Sequence, residues 1–198
     1  MKKRPPAKNV ITGEEIDTAI AVLDAVRGAA IKDPEYGFDD DWLTFMKKMR
    51  ILTPQSSGAR MQNYIFRVLG WERLPASANQ GDVRNSLGQC FEVKVTLISS
   101  SNTSANIVQI RLWQEVSGYH VFVVDATRNY RVTHFTLSKY DMRQEVKLCG
   151  SSAHGTKEAN LDNRNVEWAI RVHWSPFDPI YQRWMLKYKQ DSAITRER

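Results

Sequence analysis

Three residues with the chemistry to hold a cation and activate water sit within thirteen positions of one another. They are Asp82, Glu92 and Lys94 in the segment Gly81-Asp82-Val83-Arg84-Asn85-Ser86-Leu87-Gly88-Gln89-Cys90-Phe91-Glu92-Val93-Lys94. Ser86-Leu87-Gly88 suits a three-residue hairpin loop, because such loops end in a left-handed residue and glycine takes that conformation without steric cost. Pairing Asn85 with Gln89 then sets Asp82 across from Glu92. Side chains alternate along a strand, so Glu92 and Lys94 share a polar face with Asp82 while Phe91, Val93 and Val95 turn away. Two facing carboxylates repel and weaken a hairpin unless a cation lies between them. Magnesium suits that place, since it takes one or two carboxylates and keeps waters for exchange with phosphate oxygens. An ammonium beside the metal orients a water and offsets charge that builds on phosphorus. The chemistry expected is phosphodiester hydrolysis; the plain alternative is a surface strand with a solvated Glu92–Lys94 pair, worth little.

The same residues resemble the PD-(D/E)XK nucleases, with Asp82 as the motif aspartate, Glu92 as the second acid and Lys94 as the motif lysine. Gly88-Gln89-Cys90-Phe91-Glu92-Val93-Lys94 is similar to the equivalent stretch of the PvuII-like restriction endonucleases, and Gly81 stands where the motif has proline. The match runs from Asn79 to Val95. The resemblance implies a type II restriction endonuclease: a magnesium-dependent, homodimeric enzyme that hydrolyses double-stranded DNA at a specific sequence and leaves 5′-phosphate ends. It also implies the fold, an α/β domain with a mixed central sheet flanked by helices and the catalytic hairpin at one edge of a DNA-binding cleft. Asp82, Glu92 and the backbone carbonyl of Val93 would hold Mg2+, and Lys94 would position the water. A structure-selective repair or junction nuclease of the same fold, and a DNA-binding module without catalysis, are the competing readings.

The rest of the chain is compatible with such a partner. Its 198 residues suit one domain, residues 13–198, behind a flexible basic arm at 1–12, and the net charge of +6 favours an anionic ligand. Cys90 and Cys149 form no disulfide framework, which fits a reducing cytoplasm. No apolar run follows the charged first residues, so neither a signal peptide nor a membrane anchor is expected. The histidines, His120, His134, His154 and His173, lack metal-ligand spacing, which argues against structural zinc. Nothing places either cysteine beside a histidine, so a Cys-His hydrolase is disfavoured. The six tryptophans are scattered as core residues would be.

Helices precede the strands that must carry the site. The periodicity predicts a helix from Gly13 to Ala30 with Ile16, Ile20, Leu23, Val26 and Ala30 buried, and this helix is the expected dimer element. The Asp39-Asp40-Asp41 cluster caps a second helix to about Met49 rather than holding a metal. A third starts near Ser57 with Met61, Ile65, Val68 and Leu69 inward, leaving Arg60, Gln62 and Asn63 on a solvated face. After Lys94, residues 99–106 form a polar loop in which Ser100, Asn102 and Asn106 could follow a phosphate backbone. Gln109 and Arg111 share a strand face and are the preferred readers of adenine and guanine. Tyr119–Ala126 and Tyr130–Leu137 read as neighbouring strands, Ser138 caps a helix to about Val146, and 150–155 reads as a mobile loop. Val166–Trp174 is a strand and Pro179–Tyr188 a closing helix.

Overall fold

The structure, a computed structural model, describes residues 12–75, 79–152, 161 and 166–191. The arm before Thr12 and the His154 segment lie outside them. The chain divides into two compact units, one up to Ser57 and one from Gly58.

In the first unit, helix α1 spans Gly13–Lys32 and opens with a capping box in which Thr12 and Glu15 satisfy each other's backbone N–H groups. Its apolar stripe departs from expectation. Only Ala30 is buried, while Ile16, Ile20, Leu23 and Val26 are each 43–55% exposed. The 3.6-residue period marks an apolar stripe, but nothing described in the helix's own unit covers it. Helix α2, Trp42–Met49, is capped by the Asp41 carboxylate, which accepts from the Leu43 and Thr44 N–H groups. Capping by Asp41 is as expected, and Asp40 in addition meets Lys48 at 2.6 Å. Phe45, Met46 and Met49 are buried on the inner side of α2.

The second unit holds the sheets. Helix α3, Pro54–Leu69, begins three residues before the predicted start and enters this unit at Gly58. It ends where Trp71 N–H bonds Phe66 O and Gly70 N–H bonds Arg67 O, a Schellman closure. Met61, Tyr64, Ile65 and Phe66 are buried, whereas Val68 is exposed, so the inward face is rotated from the one expected.

Six strands form a mixed sheet in the order β1-β2-β3-β5-β6-β9: β1 Glu72–Arg73, β2 Val83–Arg84, β3 Cys90–Ile98, β5 Gly118–Asp125, β6 Arg131–Ser138 and β9 Lys189–Gln190. The pair β3–β5 is parallel and the others are antiparallel. An antiparallel sheet β4-β8-β7, with β4 Ser104–Ile110, β7 Gly150–Ser152 and β8 Trp168–His173, lies beside it in the same unit. Helix α4, Lys139–Cys149, is capped by Ser138, and α5, Pro179–Lys187, by Asp178.

Two sequence expectations change here. Residues 150–152 are a strand paired with β8, not loop, since Gly150 pairs with Ile170 and Ser152 with Trp168. The polar loop 99–106 is a tight turn about Ser99 and Asn102, and β4 already begins at Ser104.

Alternation along β3 sorts the sheet into two faces. Glu92, Lys94 and Thr96 neighbour Tyr119, Val121 and Val123 of β5, the residues that join Phe135, Leu137, Met142, Trp168 and Trp184 in the main core. Val93 and Val95 neighbour His120 and Phe122 on the opposite face. The polar residues of β3 therefore lie on the face that leads into the principal core.

Candidate active site

The hairpin that carries the three residues forms as its turn residues dictate. Asn85 N–H bonds Gln89 O at 2.9 Å, Gly88 N–H bonds Asn85 O at 3.0 Å, and Gly88 has φ +77°. The Asn85 side chain reinforces the loop by accepting from Leu87 and Gln89 N–H groups. Val83 faces Phe91 and Arg84 faces Cys90, the register that an Asn85–Gln89 pair requires.

Asp82 sits where this register breaks. Its N–H and the Val83 position both meet Phe91, because Asp82 N bonds Phe91 O at 2.9 Å while Val83 is Phe91's register partner. Two residues opposite one define a bulge. Gly81 makes it possible: at φ +88°, a Cβ there would lie 2.7 Å from Phe91 O and 2.8 Å from a Val116 methyl. Asp82 is fixed from the other side by Leu74 N–H on its carbonyl, at 2.8 Å.

Because β2 begins only at Val83, opposite Phe91, Val93 two residues further along β3 has no strand partner on that edge among the described residues. Side chains satisfy its peptide groups instead. Asp82 Oδ2 accepts the Val93 N–H at 2.8 Å, and the Gln62 amide donates to Val93 O at 3.1 Å. Gln62 also donates to Asp82 Oδ2 at 3.2 Å. The residue expected on a solvated face of α3 thus reaches the centre of the site, a contact across 20 and 31 positions that helix periodicity cannot foresee.

Glu92 is 5% exposed, and its Oε1 accepts from Lys94 Nζ at 2.6 Å. Burial pushes the Asp82 carboxyl above its usual pKa, and the nearby Glu92 charge adds to the effect; the Val93 hydrogen bond and the Lys94 and Arg73 charges oppose it. Two adjacent acids with one ammonium leave an excess of negative charge in a poorly solvated place, which costs energy unless a cation or a proton joins them.

These groups line a cleft of about 300 Å³ together with Gly58, Gln62, Asn106, Gln109 and Arg111. The structure thus gathers Asp82, Glu92, Val93 and Lys94 with three of the five residues expected to touch DNA. Ser100 and Asn102 are not among the lining residues. Asn102 is occupied in its turn, donating to Leu97 O at 3.1 Å. Gln109 and Arg111 reach the cleft by a route that differs from strand alternation. The β4–β8 register shifts between Ile107 and Ile110, and Gln109 lies at φ +55°, a conformation that costs a non-glycine residue about 1–2 kcal/mol. Arg111 follows β4 and gives Nε and one terminal nitrogen to Glu167 at 2.8 and 2.7 Å, so a base edge would compete with that carboxylate for its donors.

The donor set fits a hard divalent ion. Asp82, Glu92 and the Val93 carbonyl offer only oxygen, and the cleft leaves volume for waters, which is how magnesium is commonly held. Among the described residues no cluster of three or more His, Cys, Asp or Glu side chains is arranged for a metal.

Behind the site, the half-buried His120 and the buried His134 pair with ring nitrogens 3.0 Å apart, flanked by Trp71, Phe91 and Phe122. Burial lowers their pKa values, to about 3 for His120, where the His134 charge also contributes, and to about 4 for His134. They are neutral packing groups. Compared with known proteins, the chain matches no family model and no curated sequence.

Proposed function

We propose that the protein is a magnesium-dependent type II restriction endonuclease that hydrolyses phosphodiester bonds of double-stranded DNA, on the plan of the PD-(D/E)XK nucleases that its segment resembles. The observation that carries this reading is the joining of Asp82, Glu92 and Lys94 in one cleft with Asn106, Gln109 and Arg111. Chemistry and recognition groups would then face the same substrate.

Asp82, Glu92 and the Val93 carbonyl would hold the magnesium ion. When bound, it polarises a phosphate oxygen and lowers the pKa of its water. Lys94, held by Glu92, would orient the attacking water and meet charge that develops on the phosphate. Water attacks phosphorus, the P–O3′ bond breaks, and the products are a 5′-phosphate and a 3′-hydroxyl. Gln109, pressed toward the cleft by the bulge in β4, is the preferred reader of a base edge, with Arg111 and Asn106 beside it.

The exposed stripe of α1 supports a homodimer, whose two-fold symmetry would match a palindromic site. Glu14 and Glu15 lie in its first turn and Lys32 in its last. Antiparallel pairing of two copies sets acid against base while it buries Ile16, Ile20, Leu23 and Val26. No described helix is long and apolar enough to cross a membrane.

The test is incubation with a sequenced plasmid and magnesium. Discrete, reproducible fragments with 5′-phosphate ends are expected from the parent, and none from Lys94→Ala. Equal cleavage by parent and variant would overturn the site. Random nicking or selective cutting of four-way junctions would point to the repair nuclease, and binding without cleavage under any divalent ion to the non-catalytic module.

A further inference from the structure

The side chain that bridges Asp82 and Val93 does more than tie α3 to the hairpin. Gln62 Nε2 lies 3.2 Å from Asp82 Oδ2 and 3.1 Å from Val93 O, two of the atoms assigned to magnesium. Magnesium bound octahedrally at about 2.1 Å sets neighbouring ligand atoms about 2.9–3.0 Å apart. The two separations measured from the Gln62 amide are therefore close to edges of such an octahedron. The amide occupies the position of a ligand, but it presents its donor end.

We propose that Gln62 is a ligand of the cation, held in reserve by its own hydrogen bonds. As it lies in this arrangement, the NH2 group supplies partial positive charge to Asp82 Oδ2 and donates to the Val93 carbonyl. With an ion in place, that end of the amide is repelled. Rotation by a half turn about the last side-chain bond exchanges nitrogen for oxygen at almost the same position, so Oε1 completes a set with Asp82, Glu92 and Val93 O. A terminal amide torsion has a broad, roughly two-fold profile, so the exchange needs no movement of α3 or of the hairpin. Glutamine is the residue type that serves both states. A glutamate would add a third carboxylate to a site where Asp82 is already strained by Glu92, and a leucine would leave the Val93 carbonyl without a donor.

This inference rests on the cleft being the magnesium site, and the experiment separates the two. Magnesium chloride is titrated calorimetrically into the intact protein without DNA, and manganese binding is followed in parallel by electron paramagnetic resonance. The parent, Gln62→Ala, Gln62→Glu and Asp82→Asn are compared, each first shown to melt cooperatively. Gln62→Ala is expected to weaken both ions about tenfold, the lower end of the range for loss of a group supporting a metal site. Gln62→Glu, which retains an oxygen and gains charge, is expected to bind more tightly than the parent. If the parent binds and Asp82→Asn does not, yet Gln62→Ala equals or exceeds the parent, the role of Gln62 is wrong and the cation site stands. If the parent binds neither ion, or Asp82→Asn binds as tightly as the parent, both fall together.

Discussion

Glu145 and the Asp82–Glu92 pair are acids in poorly solvated places, and their surroundings differ in kind. Glu145, 1% exposed on α4, is met from α5 and its end by Arg183 through two nitrogens at 2.9 and 2.6 Å, by Trp184 Nε1 at 2.9 Å and by the Tyr188 hydroxyl at 3.0 Å. Burial pushes its carboxyl up, but these hydrogen bonds outweigh burial and hold it below the usual range. Asp82 accepts one peptide N–H and a share of one amide, feels the charge of a second acid although it lies opposite Phe91 and not Glu92, and is held above the usual range. A buried carboxylate saturated with donors is an anchor. One left short of donors beside another acid is prepared for something the chain does not itself supply.

The largest test of that contrast is removal of the anchor. Glu145→Ala leaves Arg183 uncompensated and should cost about 3–5 kcal/mol, measured by urea denaturation, while cleavage per folded molecule stays unchanged. Asp82→Asn should do the reverse. It should lower cleavage by about a hundred- to a thousandfold, as loss of an electrostatic group in a catalytic site does, while the melting temperature holds or rises because a like-charge contact is gone. A fall in stability of Asp82→Asn equal to that of Glu145→Ala would erase the distinction.

Titration sharpens it further. A carboxyl whose folded pKa is lowered contributes stability that is present above its unfolded value, near 4.5 for Glu145, and lost as pH falls through the folded value. The stability difference between parent and Glu145→Gln should therefore be constant at neutral pH and shrink below about pH 4.5. The difference must be used because the buried histidines, depressed to about 3 and about 4, lose their own contribution as pH falls below 6.5 in both proteins. A difference that instead declined from pH 6.5 would assign the effect to the imidazoles. The smallest effect belongs to the strained residue beside the site. Gln109→Gly should stabilise the fold by about 1 kcal/mol through relief of its left-handed backbone and should relax sequence preference at one base pair, read from cut-site mapping.

What the sequence disclosed was local. Ser86-Leu87-Gly88 states its own turn, Asp41 and Ser138 announce their helices, and the apolar run from Val121 to Val124 announces a central strand, because each signal lies within a few residues of its effect. What it withheld depends on distant partners. Gln62 reaches Val93 across 31 positions, and Glu145 reaches Trp184 across 39. The bulge at Gln109 is set by pairing with β8, and β7 exists only because Ile170 and Trp168 offer an edge to Gly150–Ser152. Periodicity in α1 marked a stripe correctly but could not say whether anything in the chain would cover it.

Gly81 bears on which sequences can encode such a site at all. Its backbone lies at φ +88°, whereas proline is confined near −65°. A search pattern that insists on proline before the aspartate demands an angle that this bulge forbids, and it would pass over every chain that reaches the same arrangement of Asp, Glu and Lys by this turn. Patterns written for the backbone, admitting glycine where the chain turns left-handed into the aspartate, would gather a different set of sequences from those gathered by patterns written for the letters.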